Sequence, residues 1–230
     1  MVRGISIIMN SYNRYEMMRD YVSEALRLCG VPYELIITDQ GSTDQRTIDW
    51  VNEHANGKFF EKENIGNPQS FNRMLSKCKY NYIGIIAPDI KLPPNWGSEA
   101  IRLTEAIPNT GIVGFWCVGS KPMNRVIIND EPIRPAERVF GTWVISKGTI
   151  DKVGNFREFS KYGIWDSDYI IRCQYAGLMT YYHDHLISNH MGSDVGQQTE
   201  YRLMKDRELA KAKKEFDKIT YTKDNYYVYN

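Results

Sequence analysis

Clusters of polar side chains follow three strand-like apolar runs, at the point where each run ends. The clusters are residues 10–14, 39–44 and 87–89. Parallel strands would bring these ends to one edge of a sheet, where ligands bind in open α/β folds. There, the carboxylate of Asp39 could bind a base or a ribose, and the carboxylate of Asp89 could bind a metal ion. The local alternatives are that Asn13 and Ser42 only cap helices and that Asp39 only shapes a turn.

The elements that must position these clusters alternate along the first half of the chain. Strands are predicted at Ile5 to Met9, Glu34 to Thr38, Lys58 to Glu61 and Tyr82 to Ile86. A first helix is predicted over 15–29, where apolar residues recur every three to four positions. A second is predicted to begin at the capping-box pattern of residues 42–45, and a third is predicted over 68–78. This alternation implies βαβ units, and hence an α/β fold with a mostly parallel sheet flanked by helices.

The second half contains shorter β-like segments, at 111–118, 125–128 and 138–146, which Pro and Gly turns separate. Helices are predicted over 146–153 and 166–176, a strand over 178–187, and a charged helix over 199–218. No repeat or linker interrupts the pattern. We therefore predict one domain (1–230), with a first half (1–107), a second half containing a short mixed β region (108–198), and a C-terminal helix and tail (199–230).

Composition excludes several classes of protein. The 230 residues are 42% hydrophobic and 13% aromatic, which is too apolar for a disordered chain. A net charge of +1 gives no overall field that would attract nucleic acid or an anionic membrane. No apolar run approaches the ~20 residues of a membrane-spanning helix, and no signal-peptide pattern precedes the first strand. Scattered cysteines (Cys29, Cys78, Cys117 and Cys173) favour buried free thiols, so we expect a cytoplasmic protein.

Taken together, the motifs resemble those of the family 2 glycosyltransferases, which have the nucleotide-sugar-binding GT-A fold. The matching segments occur in the family's order and extend over about residues 5–195. They are Ser11-Tyr12-Asn13-Arg14, the segment 39–44, Asn64-Ile65-Gly66 with Asn72, Ile86-Ala87-Pro88-Asp89, the run 141–156, Trp165-Asp166-Ser167-Asp168 with Arg172 and Gly177, and His190 with Gly192-Ser193.

The resemblance implies a role for each matching residue. The nucleotide pocket would be lined by residues of the first two clusters, namely Ser11, Asn13, Arg14, Asp39, Gly41 and Ser42. Asn72 and the turn from Asn64 to Gly66 would close the site around the diphosphate. Asp89 and His190 would bind a divalent cation, Mn²⁺ or Mg²⁺, which neutralises charge on the departing diphosphate.

Three positions depart from the family's pattern. Ala87 replaces the first carboxylate of the D-x-D metal motif, so we expect weak metal binding that needs the diphosphate itself. Trp165 replaces a usual Glu, which makes the site less acidic and offers an indole that could stack on a sugar or a base. Pro68-Gln69 replaces smaller residues and bears on the shape of the phosphate loop.

Two carboxylates, Asp166 and Asp168, compete for the role of catalytic base. Side chains at i and i+2 of a helix point in different directions, so one at most faces the substrate. Arg172, four residues after Asp168, favours a structural ion pair with it. The resemblance selects Asp166, which would deprotonate the acceptor hydroxyl for in-line attack with inversion at the anomeric carbon. The alternative for Asp166 is a helix N-cap.

Other side chains admit two interpretations each. His183 and His185 share one face of a predicted strand and could bind a transition metal, but no clear third ligand accompanies them, which favours ordinary strand histidines. Trp116, Trp143 and Trp165 could form flat platforms for acceptor sugars or could pack in the core.

The expected donor is a UDP-sugar, a preference taken from the family, and the expected acceptor is a hydroxyl group, favouring a glycan. One alternative is a hydroxylated DNA base as the acceptor, and another is a non-catalytic protein that binds a nucleotide-sugar. A third is a nucleotidyltransferase, but that class uses a Gly-rich loop with a Lys, and no such loop follows the first strand.

The basic residues of the C-terminal helix, from Lys205 to Lys214, alternate with acidic ones, which favours a solvated face over a DNA-binding one. The tail from Tyr221 to Tyr229 could cover the site or pair two subunits of a homodimer.

Overall fold

The predicted strands of the first half lie side by side and are parallel. The computed structural model describes residues 3–118, 124–137, 139, 141–192 and 199–222. In it, these strands are β1 (Ile5–Ser11), β2 (Tyr33–Asp39), β3 (Gly57–Phe60) and β4 (Tyr82–Ile85). β1 pairs with β2 and with β4, and β2 pairs with β3. β1 is buried along almost its whole length, as expected for a strand covered on both faces.

The second half extends the same sheet with antiparallel pairs. Its strands are β5 (Ile90–Lys91), β6 (Thr110–Cys117), β7 (Val126–Ile128), β8 (Glu131–Pro135), β9 (Trp143–Ser146) and β10 (Met179–His190). Within the described residues, ten strands form one sheet in the order β3-β2-β1-β4-β9-β6-β10-β8-β7, with β5 paired to β10. β9 is antiparallel to both β4 and β6, whereas β6 and β10 are parallel. β1, β4, β6 and β10 therefore all end at one edge, and the predicted α/β fold is confirmed.

The helices are α1 (Tyr15–Met17), α2 (Ser23–Arg27), α3 (Gln45–His54), α4 (Asn67–Leu75), α5 (Trp96–Ala106), α6 (Lys147–Val153), α7 (Trp165–Tyr175) and α8 (Thr199–Phe216). A π-helical turn (Met18–Val22) joins α1 to α2, so the predicted first helix is continuous but locally widened. It ends before Gly30, whose φ of 78° is the left-handed conformation expected after a helix. The helix α5 was not predicted from the sequence. No helix among the described residues is long and apolar enough to span a bilayer.

Successive residues of β1 point to opposite faces of the sheet and enter two separate cores. Ile7 packs in the core that contains α5, whereas Ile8 packs in the core that contains α4 and α7. Three of the four cysteines are buried and Cys117 is half-buried, and all four are free thiols, as predicted.

The start of α3 differs from the predicted capping box. The N-cap is Asp44, whose carboxylate accepts a hydrogen bond from the backbone N–H of Arg46 at 3.1 Å. Ser42 lies too early to cap this helix, and its side chain binds Asp39 instead. The capping-box prediction was therefore correct about the helix and wrong about its N-cap residue.

Candidate functional site

The carboxyl ends of β1 and β4 border a cavity of about 330 Å³. Residues of α4, the segment around Gly141, the loop before α7, the start of α7 and one residue of α8 complete its wall. Four of the predicted site residues line the cavity, namely Ser11, Arg14, Asp89 and Asp166. The other lining residues are Asn10, Tyr12, Gln40, Asn67, Phe71, Ile85, Ile86, Ala87, Pro88, Val139, Gly141, Trp143, Tyr162, Trp165 and Lys205.

Asp166 reaches the cavity from the first turn of α7. Its Oδ1 accepts a hydrogen bond from the backbone N–H of Ser167 at 2.8 Å. The unpaired N–H groups at the start of a helix carry partial positive charge and point toward this end of α7. The N-cap of α7 is Ile164, and the N-cap interpretation of Asp166 is therefore wrong.

Asp168 is fully buried and has a structural role. Its Oδ2 accepts a hydrogen bond from Nε of Arg172 at 2.8 Å, and its Oδ1 accepts one from Nη1 of Arg157 at 3.0 Å. Nη1 and Nη2 of Arg172 in turn donate to the carbonyls of Val153 and Asn155. The predicted ion pair with Arg172 is confirmed.

The hydroxyl of Tyr221 also donates to Asp168, so the beginning of the C-terminal tail folds onto its own chain. Burial is the main reason why the pKa of this phenol is raised, and the carboxylate of Asp168 adds to the effect. The rest of the predicted tail, from residue 223 onward, lies outside the described residues.

Asp89 and His190 meet because β5 pairs with the end of β10. Nε2 of His190 lies 3.5 Å from Oδ2 of Asp89, and the backbone N–H of Met191 donates to the carbonyl of Asp89 at 2.7 Å. A Cβ on Gly192 would lie only 2.3 Å from Oδ2 of Asp89, so glycine leaves room for the carboxylate. A carboxylate oxygen and an imidazole nitrogen are atoms that can bind a divalent cation, whereas the side chain of Ala87 in the cavity wall offers no ligand atom.

The loops after β1 and β2 are joined by a compact set of hydrogen bonds. Asp39 is buried, and its two carboxylate oxygens accept from the backbone N–H and the hydroxyl of Ser42 at 2.8 and 2.6 Å. Oδ1 of Asn13 accepts from the N–H groups of Thr43 and Asp44, both at 2.9 Å. Asn13, Asp39, Gly41 and Ser42 are not part of the cavity wall. The structure thus gives them a local role, and their contact with a nucleotide stays a prediction.

The turn from Asn64 to Gly66 packs against the loop that precedes α7. Gln40 fixes the turn, because its Oε1 accepts from the N–H of Ile65 at 2.8 Å and its Nε2 donates to the carbonyl of Gly66 at 3.3 Å. Nδ2 of Asn64 donates to the hydroxyl of Tyr162 at 2.9 Å. The turn therefore positions Tyr162, which lines the cavity, rather than lining it directly.

Asn72 holds the segment that follows α6. Its Oδ1 accepts from the N–H of Phe156 at 2.9 Å, and its Nδ2 donates to the carbonyl of Phe156 and to Glu158 at 2.8 and 3.0 Å. Asn72 is not part of the cavity wall. The structure gives it a positioning role, and its contact with the diphosphate stays a prediction.

One wall of the cavity is aromatic. The ring centroid of Trp165 lies 5.2 Å from that of Phe71, 5.6 Å from that of Trp143 and 5.3 Å from that of Phe156. Trp143 is 2% exposed and belongs to the core, whereas Trp165 is half-buried. Trp116 lies elsewhere, beneath the guanidinium of Arg134 at 5.6 Å. Trp165 is therefore the indole best placed to contact a ring bound in the cavity.

The two histidines of β10 gain a third partner from α5. Nδ1 of His183 and Nδ1 of His185 lie 3.9 and 3.8 Å from Oε1 of Glu99. Arg102 donates to both oxygens of Glu99, and the N–H of His185 donates to Nδ1 of His183 at 3.2 Å. These three side chains form a group that could hold a metal ion, although Glu99 is already bonded to Arg102 and Nδ1 of His183 already accepts from His185.

Fifteen residues of the wall were not predicted as site residues, and Tyr162 and Lys205 are among them. The alternating charges around Lys205 predict a solvated helix face, whereas the structure places this residue in the cavity wall. Tyr162 belongs to no motif. Lys205 reaches the cavity because α8 docks on the loop before α7, whereas Tyr162 belongs to that loop and bonds to Asn64. No local pattern of the sequence encodes these contacts.

Comparison with known proteins agrees with this geometry. The model of the family described as glycosyl transferase family 2 matches residues 6–160. No curated protein matches the sequence. Among solved structures, the chain is similar to mannosyltransferase PcManGT from Pyrobaculum calidifontis in complex with GDP-Man and Mn²⁺, with a TM-score of 0.69 and 14% identity over 96% of this chain and 66% of that one.

Two further structures share the fold. One is GalNAc-T7 with UDP, GalNAc and Mn²⁺, with a TM-score of 0.68 and 10% identity over 82% of this chain and 44% of that one. The other is TarS 1-349 of S. aureus, with a TM-score of 0.63 and 14% identity over 82% of this chain and 60% of that one. The chain thus covers between 44 and 66% of the lengths of these structures. By its family match over most of its length and by its GT-A fold, the chain belongs to glycosyltransferase family 2.

Proposed function

We propose that this protein is an inverting glycosyltransferase that moves a sugar from a nucleoside-diphosphate sugar, with UDP favoured, to a hydroxyl group of a glycan. The observation that carries the proposal is the convergence of Arg14, Asp89 and Asp166 on one cavity at the carboxyl ends of β1 and β4. A cation, a metal-binding carboxylate and a base in one cleft are the groups that this transfer needs.

Polar and apolar parts of the wall suit the two ends of such a donor. Asn10 and Asn67 give the wall a polar part, where Nδ2 of Asn10 donates to Oδ1 of Asn67 at 3.0 Å. Tyr12 and Trp165 offer aromatic surface for a base or a sugar ring. Arg14 offers a guanidinium for phosphate oxygens.

Asp166 is the proposed general base. Its carboxylate takes the proton of the acceptor hydroxyl while the acceptor oxygen forms a bond to the anomeric carbon. The bond from that carbon to the diphosphate oxygen breaks, and the nucleoside diphosphate leaves with the electron pair. Asp168 is unsuited to this step, because it is fully buried and both of its oxygens accept bonds from arginines.

Asp89 and His190 are the proposed ligands of a divalent cation, Mn²⁺ or Mg²⁺. When bound, such an ion would neutralise charge on the diphosphate. Two of the similar structures contain Mn²⁺ together with GDP-Man or with UDP, which supports a metal-dependent donor site but does not choose the nucleotide.

A thermal-shift panel with UDP, GDP, dTDP and CDP, each with and without Mn²⁺, tests the donor site. A nucleotide that binds only the folded state raises the melting temperature, so one nucleotide should raise it selectively and more with Mn²⁺. No shift with any of the four at millimolar concentration would contradict the proposal.

The catalytic role is tested separately with Asp166→Asn. The variant should keep the nucleotide-induced shift, because the amide preserves size and polarity. Sugar transfer or hydrolysis of the identified donor should fall by about 100-fold or more, as expected for loss of a general base. Undiminished turnover would show that another group is the base.

A further inference from the structure

The helix α8 packs along the loop that precedes α7, the helix whose first turn contains Asp166. Oε2 of Glu208 accepts a hydrogen bond from the backbone N–H of Lys161 at 2.8 Å. A Cβ on Gly163 would lie 2.5 Å from Cδ1 of Leu209, so the two segments are in van der Waals contact. The position of α8 is thereby fixed relative to the start of α7.

The contacts define one face of α8. Glu208 and Leu209 follow Lys205 by three and four positions, and the fully buried Ala212 follows it by seven, so all four lie on one side of the helix. The docked face therefore continues to Lys205. Its Nζ lies 5.7 Å from the ring centroid of Tyr162, and both side chains line the cavity.

Lys205 changes the charge balance of the cavity. The wall contains two cations, Arg14 and Lys205, and two carboxylates, Asp89 and Asp166. Ala87 lines the same wall and has no carboxylate to hold a metal ion, whereas the positive charge of Lys205 does not depend on a metal ion. A cation on a flexible stem suits the several oxygens of a diphosphate.

We propose that Lys205, from the C-terminal helix, binds the diphosphate of the donor and stays bound to it as it leaves. This inference rests on the proposed function. As the bond to the anomeric carbon breaks, negative charge grows on the diphosphate oxygen, and a cation fixed at that place stabilises the growing charge. Tyr162 supports the cation through its ring face.

The test compares Lys205→Gln with Lys211→Gln. Lys211 is on the same helix but exposed, so its substitution removes the same charge outside the cavity. Affinities are measured by calorimetry, in excess Mn²⁺, for inorganic pyrophosphate, for the nucleoside diphosphate identified in the panel, and for the matching monophosphate. A circular dichroism melt of each variant verifies folding.

Lys205→Gln should lower the affinity for the nucleoside diphosphate and for pyrophosphate by about tenfold or more, which is the effect of losing a hydrogen bond to a charged group. It should lower the affinity for the monophosphate much less. Lys205→Arg should keep most of the wild-type affinity for the diphosphate. Lys211→Gln should bind all three ligands like the wild type.

Two results would overturn the inference, and only the second would also overturn the proposed function. If wild type binds the nucleoside diphosphate and Lys205→Gln binds it equally well, Lys205 is not a phosphate ligand, but the proposed function stands. If wild type binds neither pyrophosphate nor any nucleotide, both the donor site and the role of Lys205 are wrong.

Discussion

Asp166 and Asp168 are two residues apart in α7, yet their carboxylates lie in opposite surroundings. Asp166 lines the cavity at the strand ends, whereas Asp168 is fully buried between Arg157 and Arg172. The helix separates a group for chemistry from a group for stability, because side chains at i and i+2 diverge by more than half a turn.

Asp168→Asn should therefore destabilise the protein. Removing one partner of a buried ion pair leaves uncompensated charge on Arg157 and Arg172, at a cost of about 3–5 kcal/mol in the free energy of unfolding. Urea unfolding measures this loss. Asp166→Asn is the matched control and should unfold within about 1 kcal/mol of wild type, as a substitution outside the core does. Equal stability of the two variants would contradict the assigned roles.

Gly66→Ala should disturb the turn that supports Tyr162. Gly66 has φ 92° and ψ 164°, a region nearly confined to glycine, and a Cβ there would lie 2.4 Å from Cα of Lys161. We expect a loss of about 1–3 kcal/mol from the backbone conformation, with more from the clash. Gly148→Ala is the control, because Gly148 is inside α6 with its nearest neighbour at 3.6 Å, and alanine should stabilise that helix. A neutral Gly66→Ala would show that the turn can move.

Stability should fall below neutral pH partly because of His183. Burial lowers the pKa of this imidazole and the nearby His185 lowers it further, whereas Glu99 and Glu131 raise it by a smaller amount. Below the ordinary pKa of about 6.5, the unfolded chain binds a proton that the folded protein excludes, so stability is full above that pH and is lost as the pH falls. The pKa values of both glutamates are lowered, mainly by Arg102, which adds a further loss at more acidic pH.

Urea unfolding between pH 8 and pH 5.5 measures this slope. His183→Gln should flatten it, because glutamine does not titrate, even if the variant is less stable at every pH. A slope that is the same in the variant and in wild type would assign the pH dependence to other groups.

The stabilisation of the protein by a nucleotide with Mn²⁺ should depend on Asp89 and His190. Either Asp89→Asn or His190→Ala should raise the Mn²⁺ concentration needed for nucleotide-induced stabilisation by at least about tenfold, since loss of even an outer-shell partner often has that effect. His185→Ala is the control, because His185 belongs to the separate group with Glu99. If only the control changes the requirement, the ion binds at that group instead.

Local patterns of the sequence were enough for most strands, most helices and the edge that carries the site, but the strands β5 and β8 were not predicted. The ends of β1 and β4 were recognised because apolar runs stop at polar clusters, and the Asp168–Arg172 pair because i, i+4 spacing is a property of one helix. The helix α5 was not predicted, although its residues Trp96, Ala100, Ile101 and Leu103 are buried.

Only the tertiary structure decided which polar residues face the cavity. Asn72 and Asp39 match the family's motifs, but their hydrogen-bonding groups are engaged with Phe156, Glu158 and Ser42. Lys205 looked like one charge among many on a solvated helix, and it became part of the wall because α8 docks forty residues away on the loop before α7. Such docking depends on the shapes of distant segments, which spacing along the chain does not contain.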